Sequence, residues 1–346
     1  MVGRPVDSRS GTCALPASVV VSVALCTHNG ANYLGRQVAS ICEQTRIPDE
    51  IVLSDDASSD ASVRVVQSEI AQTARSPIPR LRILRNTKAL GITANFEQAV
   101  RACNGDVIVL CDQDDVWLPN RVERALAAFS QRPDLLLVHS DAVLIDAFDR
   151  PIGRGLFHAL EVHAYELSWL HQGRGFNVFL RRNLVTGATA AFRRQLLDSA
   201  LPFPAGWLHD EWLGAVAATV GQVDVLEEPL IAYRQHGGNA VGARRLTLFE
   251  LVQRAFAARG QTHIDRARKA EIWLNRLNLL KASGIEVEPI KQQALVQRLA
   301  HQKFRAELPT KRLRRIWPIW REVRSGNYAR FGRGARGVFR DLFESA

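Results

Sequence analysis

Residues 106–119 read DVIVLCDQDDVWLP. Val107 to Cys111 form a short apolar, largely β-branched run, the pattern of a strand buried on both faces. Where the run ends, Asp112, Asp114 and Asp115 place three carboxylates within four positions. Charges so close repel one another, so something positive is expected against them: a divalent cation, an Arg or Lys cluster, or a helix N-terminus. The plain alternative is a capping turn, because Asp caps helices well and Pro119 suits a first helical turn.

The alternation continues on both sides of this stretch. VVVSVALC (19–26), EIVLSDD (50–56), LRILRN (81–86) and DLLLVHSDAVLID (134–146) read as further strands. Between them, ANYLGRQVASICEQT sets Leu34, Val38, Ile41 and Cys42 at helical spacing. SSDASVRVVQSEIAQ opens on Ser and Asp, and ITANFEQAVRAC is stopped by Asn104-Gly105. PNRVERALAAFSQ gives a fourth helix. Strands alternating with helices predict an α/β fold around a mostly parallel sheet flanked by helices. In such sheets ligands bind beyond the carboxyl ends of the strands. Thr27-His28-Asn29, Asp55-Asp56, Asn86 and Asp112–Asp115 all fall there, so the carboxylates converge on one rim.

Beyond residue 150 the pattern loosens. Residues 153–177 read as a mobile substrate loop, LVTGATAAFRRQLL (184–197) as a strand entering a helix, and WLHDEWLGAVAATVG as a helix with an acidic start. QVDVLEEPLIAYRQHGGNAVG reads as a strand pair ending in a polar, Gly-rich loop. From about residue 245 the chain reads as helices. The organisation expected is a tail (1–18), a nucleotide-binding domain (19–243) and a helical, basic C-terminal region (244–346).

At 47% hydrophobic and 23% charged residues the chain has the make-up of a packed globular protein. No run reaches the roughly 18 apolar residues of a membrane span, and the polar start predicts no secretory signal. The five Cys show no paired CxxC spacing, so Cys26 and Cys111 read as reduced core thiols of a cytoplasmic protein. Charge is uneven: residues 244–346 hold 23 Lys+Arg and 9 Asp+Glu, a net of +14, which leaves −4 for residues 1–243 against +10 overall. The basic character belongs to the C-terminal third, where Lys311, Arg312, Arg314 and Arg315 stand beside Trp317 and Trp320. That pattern fits docking on an anionic membrane surface; a solvated helical face or a homo-oligomer contact is the alternative. Sparse aromatic interleaving argues against nucleic acid.

No GxGxxG follows the first strand and no GxxxxGK[ST] occurs, which disfavours a dinucleotide site and a P-loop. An Asp-rich rim without clustered His and Cys favours a hard ion, Mg²⁺ or Mn²⁺, of the kind that bridges to substrate phosphates.

VSVALCTHNGANYLGRQVASICEQT, EIVLSDDASSDAS and GDVIVLCDQDDVWLPNRV, in this order, resemble the opening of the family 2 glycosyltransferases with a GT-A fold. VTGATAAFRR, HDEW and YRQHGGNAVG resemble the second half of that family, particularly its bacterial rhamnosyltransferase-like branch, and SGNYARFGRG resembles the tail of that branch. The resemblance implies roles. Asp112-Gln113-Asp114 occupies the place of the DxD motif, with Asp114 a metal ligand and Asp112 near the donor ribose and metal water. Asp56 would read the base, while Thr27, His28, Asn29, Asn86 and Gly187 would line the nucleotide-sugar pocket. Asp210 would be the general base for the acceptor hydroxyl, with Glu211 its rival. His236 would complete the metal site, with His209 the alternative.

The activity implied is single-displacement transfer, with inversion, from a nucleotide sugar to a glycan or lipid-linked acceptor, at the cytoplasm or its membrane face. The branch points to dTDP-L-rhamnose, and UDP-hexoses stay open. A nucleotidyltransferase and a non-catalytic sugar-nucleotide-binding module are the readings from other classes. Two positions depart from the family pattern. His28 stands where Tyr is common, and Ala57 replaces the usual Gly, so ordinary backbone geometry is expected at Ala57. No QxxRW occurs, so processive synthesis is not expected.

Overall fold

The computed structural model describes residues 18–236 and 261–344. Its centre is one eight-stranded sheet in the order β3-β2-β1-β4-β7-β6-β8-β5. The strands are β1 (Val21–Thr27), β2 (Glu50–Asp55), β3 (Arg80–Arg85), β4 (Val107–Cys111), β5 (Val116–Trp117), β6 (Leu135–Ile145), β7 (Ala191–Arg193) and β8 (Gln222–Arg234). The pairs β1–β2, β2–β3, β1–β4 and β6–β8 are parallel. The short β7 runs antiparallel between β4 and β6, and β5 antiparallel to β8, so the sheet is mixed.

Burial explains why the strand sequences are so apolar. In β1, Val21, Val23 and Leu25 face one core together with α1 (Ala31–Cys42), α2 (Ser62–Gln72) and α4 (Arg121–Gln131). Ala24 and Cys26 face the opposite core, with α3 (Ile92–Ala102). Period-2 alternation thus divides the apolar β1 side chains between two cores. At the lower end of the sheet Glu50 is buried. It accepts hydrogen bonds from Ser22 Oγ, Asn104 N and Arg80, which tie β1, β2 and β3 to the turn before β4.

Three sequence expectations change. Residues 153–177 are not an open loop. Much of the segment forms α5 (Leu156–Ala159), α6 (Ala164–His171) and α7 (Gly175–Phe179), which bury Leu170, Phe176, Val178 and Phe179. The strand pair expected after residue 221 is the single strand β8, and the Gly-rich stretch 237–242 lies outside the described residues, as does most of the tail 1–18. The turn after the DQDD stretch is not a helix start either, because β5 intervenes and α4 begins at Arg121.

Beyond α8 (Leu196–Ala200) and α9 (His209–Val220), the C-terminal region forms α10 (Gln261–Ala282), α11 (Pro289–Ala306), α12 (Arg312–Arg324), α13 (Asn327–Phe331) and α14 (Ala335–Phe343). Trp273, Leu277 and Leu295 join the same core as α9. Several C-terminal cations are used inside the protein. Arg276 donates to Ser199 O, Leu201 O and Pro202 O, Lys291 to Ala218 O and Thr219 O, and Arg298 to Phe179 O. These carbonyls close the C-terminal turns of α7, α8 and α9, where cations are favoured. Arg315 is fully buried and donates to Pro309 O, Thr310 O, Asp341 O and Glu344 O, so it cannot belong to a membrane-facing cluster. No helix among the described residues is long and apolar enough to cross a membrane.

Candidate active site

Parallel pairing aligns the strand ends. Thr27 lies opposite Asp55, and Leu25 opposite Cys111, so the loops after β1, β2 and β4 share one rim. The side chain of Gln113 locks two of these loops together. Its Oε1 accepts hydrogen bonds from Thr27 Oγ1 and from His28 N, both at 2.8 Å. A Cβ on Gly30 would fall 2.3 Å from that oxygen, so any side chain there would push Gln113 off Thr27 and His28. Sequence reasoning passed over Gln113, since the middle residue of a DxD carries no pattern of its own.

His28 and Asp56 also join these loops, through His28 Nδ1 and Asp56 O at 2.6 Å. The buried Asp56 carboxylate accepts from Asn86 Nδ2 (3.0 Å), Leu90 N (2.7 Å) and Gly91 N (2.9 Å) and so orders the segment after β3. Asn29 adopts φ +51° and its Oδ1 accepts from Ser59 N. Ala57 adopts φ +60°, against the expectation of ordinary geometry, so the position keeps a left-handed conformation although its Gly is gone.

Beyond β4 the carboxylates gather. Asp115 is buried, its Oδ1 accepts from Arg234 N at 2.9 Å and its Oδ2 has no partner. Burial and the charges of Asp114 and Asp112 push its carboxyl far above the usual range. Asp112 is pushed up to about 7, by burial first and then by Asp114 and Asp210. Asp114 Oδ2 lies 2.8 Å from His236 Nε2, and the His236 ring stacks on Tyr33 at 4.9 Å. Positive charge is present as well. The buried Arg121 lies 4.1 Å over the Trp117 ring and within the field of Asp115 and Asp112, and Arg234 is buried beside them. The Arg234 guanidinium donates to the backbone oxygens Asp114 O (2.6 Å) and Asp146 O (3.0 Å).

An oxygen-rich set with one imidazole suits a hard divalent cation, and the orphaned Asp115 Oδ2 and the raised Asp112 are what excess local negative charge produces. The donors are not closed around one point. Among the described residues, the only trio of such atoms within 4.8 Å of one another is His263, Asp341 and Glu344. There Arg305 pairs both Asp341 oxygens, at 2.7 and 2.8 Å, so that trio is a buried ionic network.

Asp210 stands in the first turn of α9. Its Oδ2 accepts from Gly187 N at 2.9 Å and its Oδ1 from Glu211 N at 2.7 Å. Burial raises its carboxyl, opposed by those N–H groups and by Lys269. Gly187 belongs to the turn before β7, and Ala190 O of that turn accepts from Leu110 N of β4 at 3.0 Å, which puts the α9 start beside the end of β4. Glu211 pairs with Lys269 of α10 and so turns towards the C-terminal helices. His209 stacks on Phe96 at 3.8 Å, and burial holds its ring neutral, down to about 3. A Cβ on Gly187 would meet His209 Nε2 at 2.7 Å. His209 is therefore a wedge beneath Gly187 and does not join Asp114, whereas His236 does.

Comparison with known proteins gives a consistent result. The model of the family described as glycosyl transferase family 2 matches residues 22–201. An uncharacterized glycosyltransferase of Nostoc sp. is 28% identical over 222 residues, 63% of this chain and 66% of its own length. An uncharacterized protein of Mycobacterium tuberculosis is 27% identical over 220 residues, 62% of this chain and 59% of its own length. The matched part is thus less than two thirds of each relative. Among solved structures, S. aureus TarS 1-349 in complex with UDP-GlcNAc superposes with a TM-score of 0.52 at 17% identity, covering 94% of this chain and 90% of that one. The mannosyltransferase PcManGT from Pyrobaculum calidifontis, in complex with GDP-Man and Mn²⁺, gives 0.52 at 17% identity, covering 93% and 79%. At such identities the likeness is one of fold.

Proposed function

The chain belongs to glycosyl transferase family 2, and from that premise we propose that it is a metal-dependent, inverting enzyme that moves one sugar from a nucleotide-sugar donor to a hydroxyl of a glycan or lipid-linked acceptor. The observation that carries this reading is geometric: Asp114 meets His236 at 2.8 Å just after β4, and Asp210 is held by Gly187 N at 2.9 Å in the turn whose Ala190 O accepts from Leu110 N of β4. The end of β4 thus links the proposed donor site to the proposed base.

In this reading Thr27, His28, Asn29, Asp56 and Asn86 hold the nucleoside, and Gln113 keeps their loops in place. Asp114 and His236 would hold Mg²⁺ or Mn²⁺, with Asp112 near the donor ribose and a metal-bound water, and the ion when bound would offset the negative charge of the donor diphosphate. Asp210 takes the proton from the acceptor hydroxyl. That oxygen bonds to the anomeric carbon from the face opposite the leaving group. The anomeric C–O bond breaks, and its electron pair departs with the nucleoside diphosphate, which inverts the centre. Burial favours this role for Asp210, because a carboxylate with a raised pKa is a stronger base. Gly187 N and Glu211 N fix its two oxygens.

For the donor we propose dTDP-L-rhamnose, supported by the resemblance of VTGATAAFRR and HDEW to the rhamnosyltransferase-like branch. The test is a screen of purified protein with Mn²⁺ and either dTDP-rhamnose or UDP-glucose, scored by release of nucleoside diphosphate. Preferential turnover of dTDP-rhamnose is expected. Preference for UDP-glucose would keep the chemistry and overturn the donor. No turnover of any nucleotide sugar across an acceptor panel, with nucleotide still bound, would favour the binding-module reading.

We further propose that α12 docks on anionic lipid. Leu313, Ile316, Trp317, Trp320 and Val323 form an exposed stripe at helical spacing, with Leu313 83% and Trp317 67% exposed. Arg312, Arg314, Arg321 and Arg324 flank the stripe and are exposed. Apolar and aromatic side chains edged by cations suit a headgroup interface.

A further inference from the structure

A cavity of about 1360 Å³ lies between α10, α11, α13 and α14 and the face of the domain that carries Trp207 and Glu211. Ten Lys and Arg side chains line it against two carboxylates. Arg182, Lys269, Arg305, Arg333, Arg336 and Arg340 pair with Glu166, Glu211, Asp341, Glu161 and Glu344, so the positive excess that would favour an anion rests on the remaining cations.

Four of the ten have no carboxylate partner among the described residues, and one of them, Arg181, lies over the Tyr165 and Trp169 rings. The other three, Arg266, Arg268 and Arg298, form no ion pair with any described residue. Arg298 Nη1 donates to Phe179 O and its guanidinium lies 5.0 Å over the Trp273 ring, while its buried Nε has no partner. Arg266 is accessible yet closely surrounded. Burial and the like charges of Arg305 and Arg340 lower it to about 10. The cavity also has apolar walls, and Phe339 belongs both to its lining and to the exposed apolar residues of α14.

Position decides what would use such a cavity. Glu211 lines it, and Glu211 N donates to Asp210 Oδ1. The first turn of α9 therefore separates an acidic rim from a basic cavity. Resting on the assignment of Asp210 as base, we infer that the cavity seats the acceptor and that the acceptor carries a phosphate or diphosphate group held by Arg266, Arg268 and Arg298. A phosphate oxygen matches the fork of guanidinium donors.

The test is calorimetric titration of the full chain, with chelator and no divalent ion, using inorganic pyrophosphate, glucose 1-phosphate and farnesyl diphosphate. Pyrophosphate is expected to bind, and the Arg266→Gln/Arg268→Gln variant to bind it at least about tenfold more weakly. Both side chains are exposed, so the variant should fold, and unchanged affinity for UDP with Mn²⁺ verifies this. Tighter binding of farnesyl diphosphate than of the other two supports the site with a lipid-linked source. Equal or tighter binding of glucose 1-phosphate supports it with a soluble phosphorylated glycan. No pyrophosphate binding, equal binding by the variant, or displacement of pyrophosphate by UDP without metal would overturn the inference. Failure of the transferase reading would appear separately, as wild-type protein that binds no nucleotide with Mn²⁺.

Discussion

Asp114 and His236 stand 122 positions apart in the chain, yet Asp114 Oδ2 and His236 Nε2 are 2.8 Å apart. β8 creates the contact. It lies beside β6 and pairs with β5, placing Val116 opposite Ala232, so its end returns to the turn that follows β4. The turn after β4 and the end of β8 thus close on one acidic site.

Asp210 is the residue whose loss should separate chemistry from binding. Asp210→Asn keeps an oxygen that can accept from Gly187 N but cannot take a proton. Turnover should fall about 10²- to 10⁴-fold, while nucleotide affinity measured by titration stays within a factor of a few. If turnover survives in this variant and falls in Glu211→Gln, the base has been misassigned.

The acidic rim should make metal-free stability depend on pH in a particular direction. Asp112, raised from 3.8 to about 7, binds its proton more tightly in the folded than in the unfolded chain. Its contribution is therefore greatest below the unfolded value and is lost as pH rises towards 7. Asp115 is shifted in the same direction. Glu50 works oppositely. Burial would raise it, but Asn104, Ser22 and Arg80 hold it down to about 2, so its stabilisation is lost only as pH falls below about 4.5. Thermal melts between pH 5 and pH 8 in chelator should thus show falling stability. Asp112→Asn should flatten the slope, and Mn²⁺ should reverse it, because binding an ion at the carboxylates releases protons. A slope unchanged in Asp112→Asn contradicts the assignment.

On α12 two neighbouring positions should behave differently. Trp317→Ala/Trp320→Ala removes a stacked, exposed pair (4.8 Å between rings) and should reduce sedimentation with phosphatidylglycerol vesicles without lowering the melting temperature. Arg315→Ala removes a fully buried side chain that donates to four backbone carbonyls and should cost about 2–4 kcal/mol of stability. Equal vesicle binding by the Trp variant would remove membrane docking from the account.

Much of the rim was legible in the sequence because strand ends are legible. Apolar runs such as VIVLC stop abruptly at polar residues, and parallel pairing then brings Thr27, Asp56, Asn86 and Asp112 to one side. The convergence of Asp114 with His236 was available only through the family resemblance, since spacing says nothing about a partner 122 residues away. Gln113 and Gly30 were not legible, because their lock depends on a side chain crossing between loops. Ala57 misled because its left-handed geometry is imposed by the turn after β2 rather than by the residue. The segment 153–177 looked open because α5 and α7 are too short to show a helical period. The C-terminal charge looked like one surface feature, yet Arg276, Lys291 and Arg315 cap carbonyls inside the fold, and pattern alone cannot tell a buried Arg from an exposed one.

In the proposed mechanism the carboxylates after β4 assemble a cation-dependent nucleotide site. The most direct measurement is the melting temperature with dTDP, UDP and GDP, each with and without Mn²⁺, for wild-type protein and Asp114→Asn. The account predicts a rise that needs both nucleotide and Mn²⁺, largest for dTDP, equivalent to about 2.7 kcal/mol at 100 times Kd, and absent in Asp114→Asn. A rise of equal size without metal, or one that persists in Asp114→Asn, would contradict it.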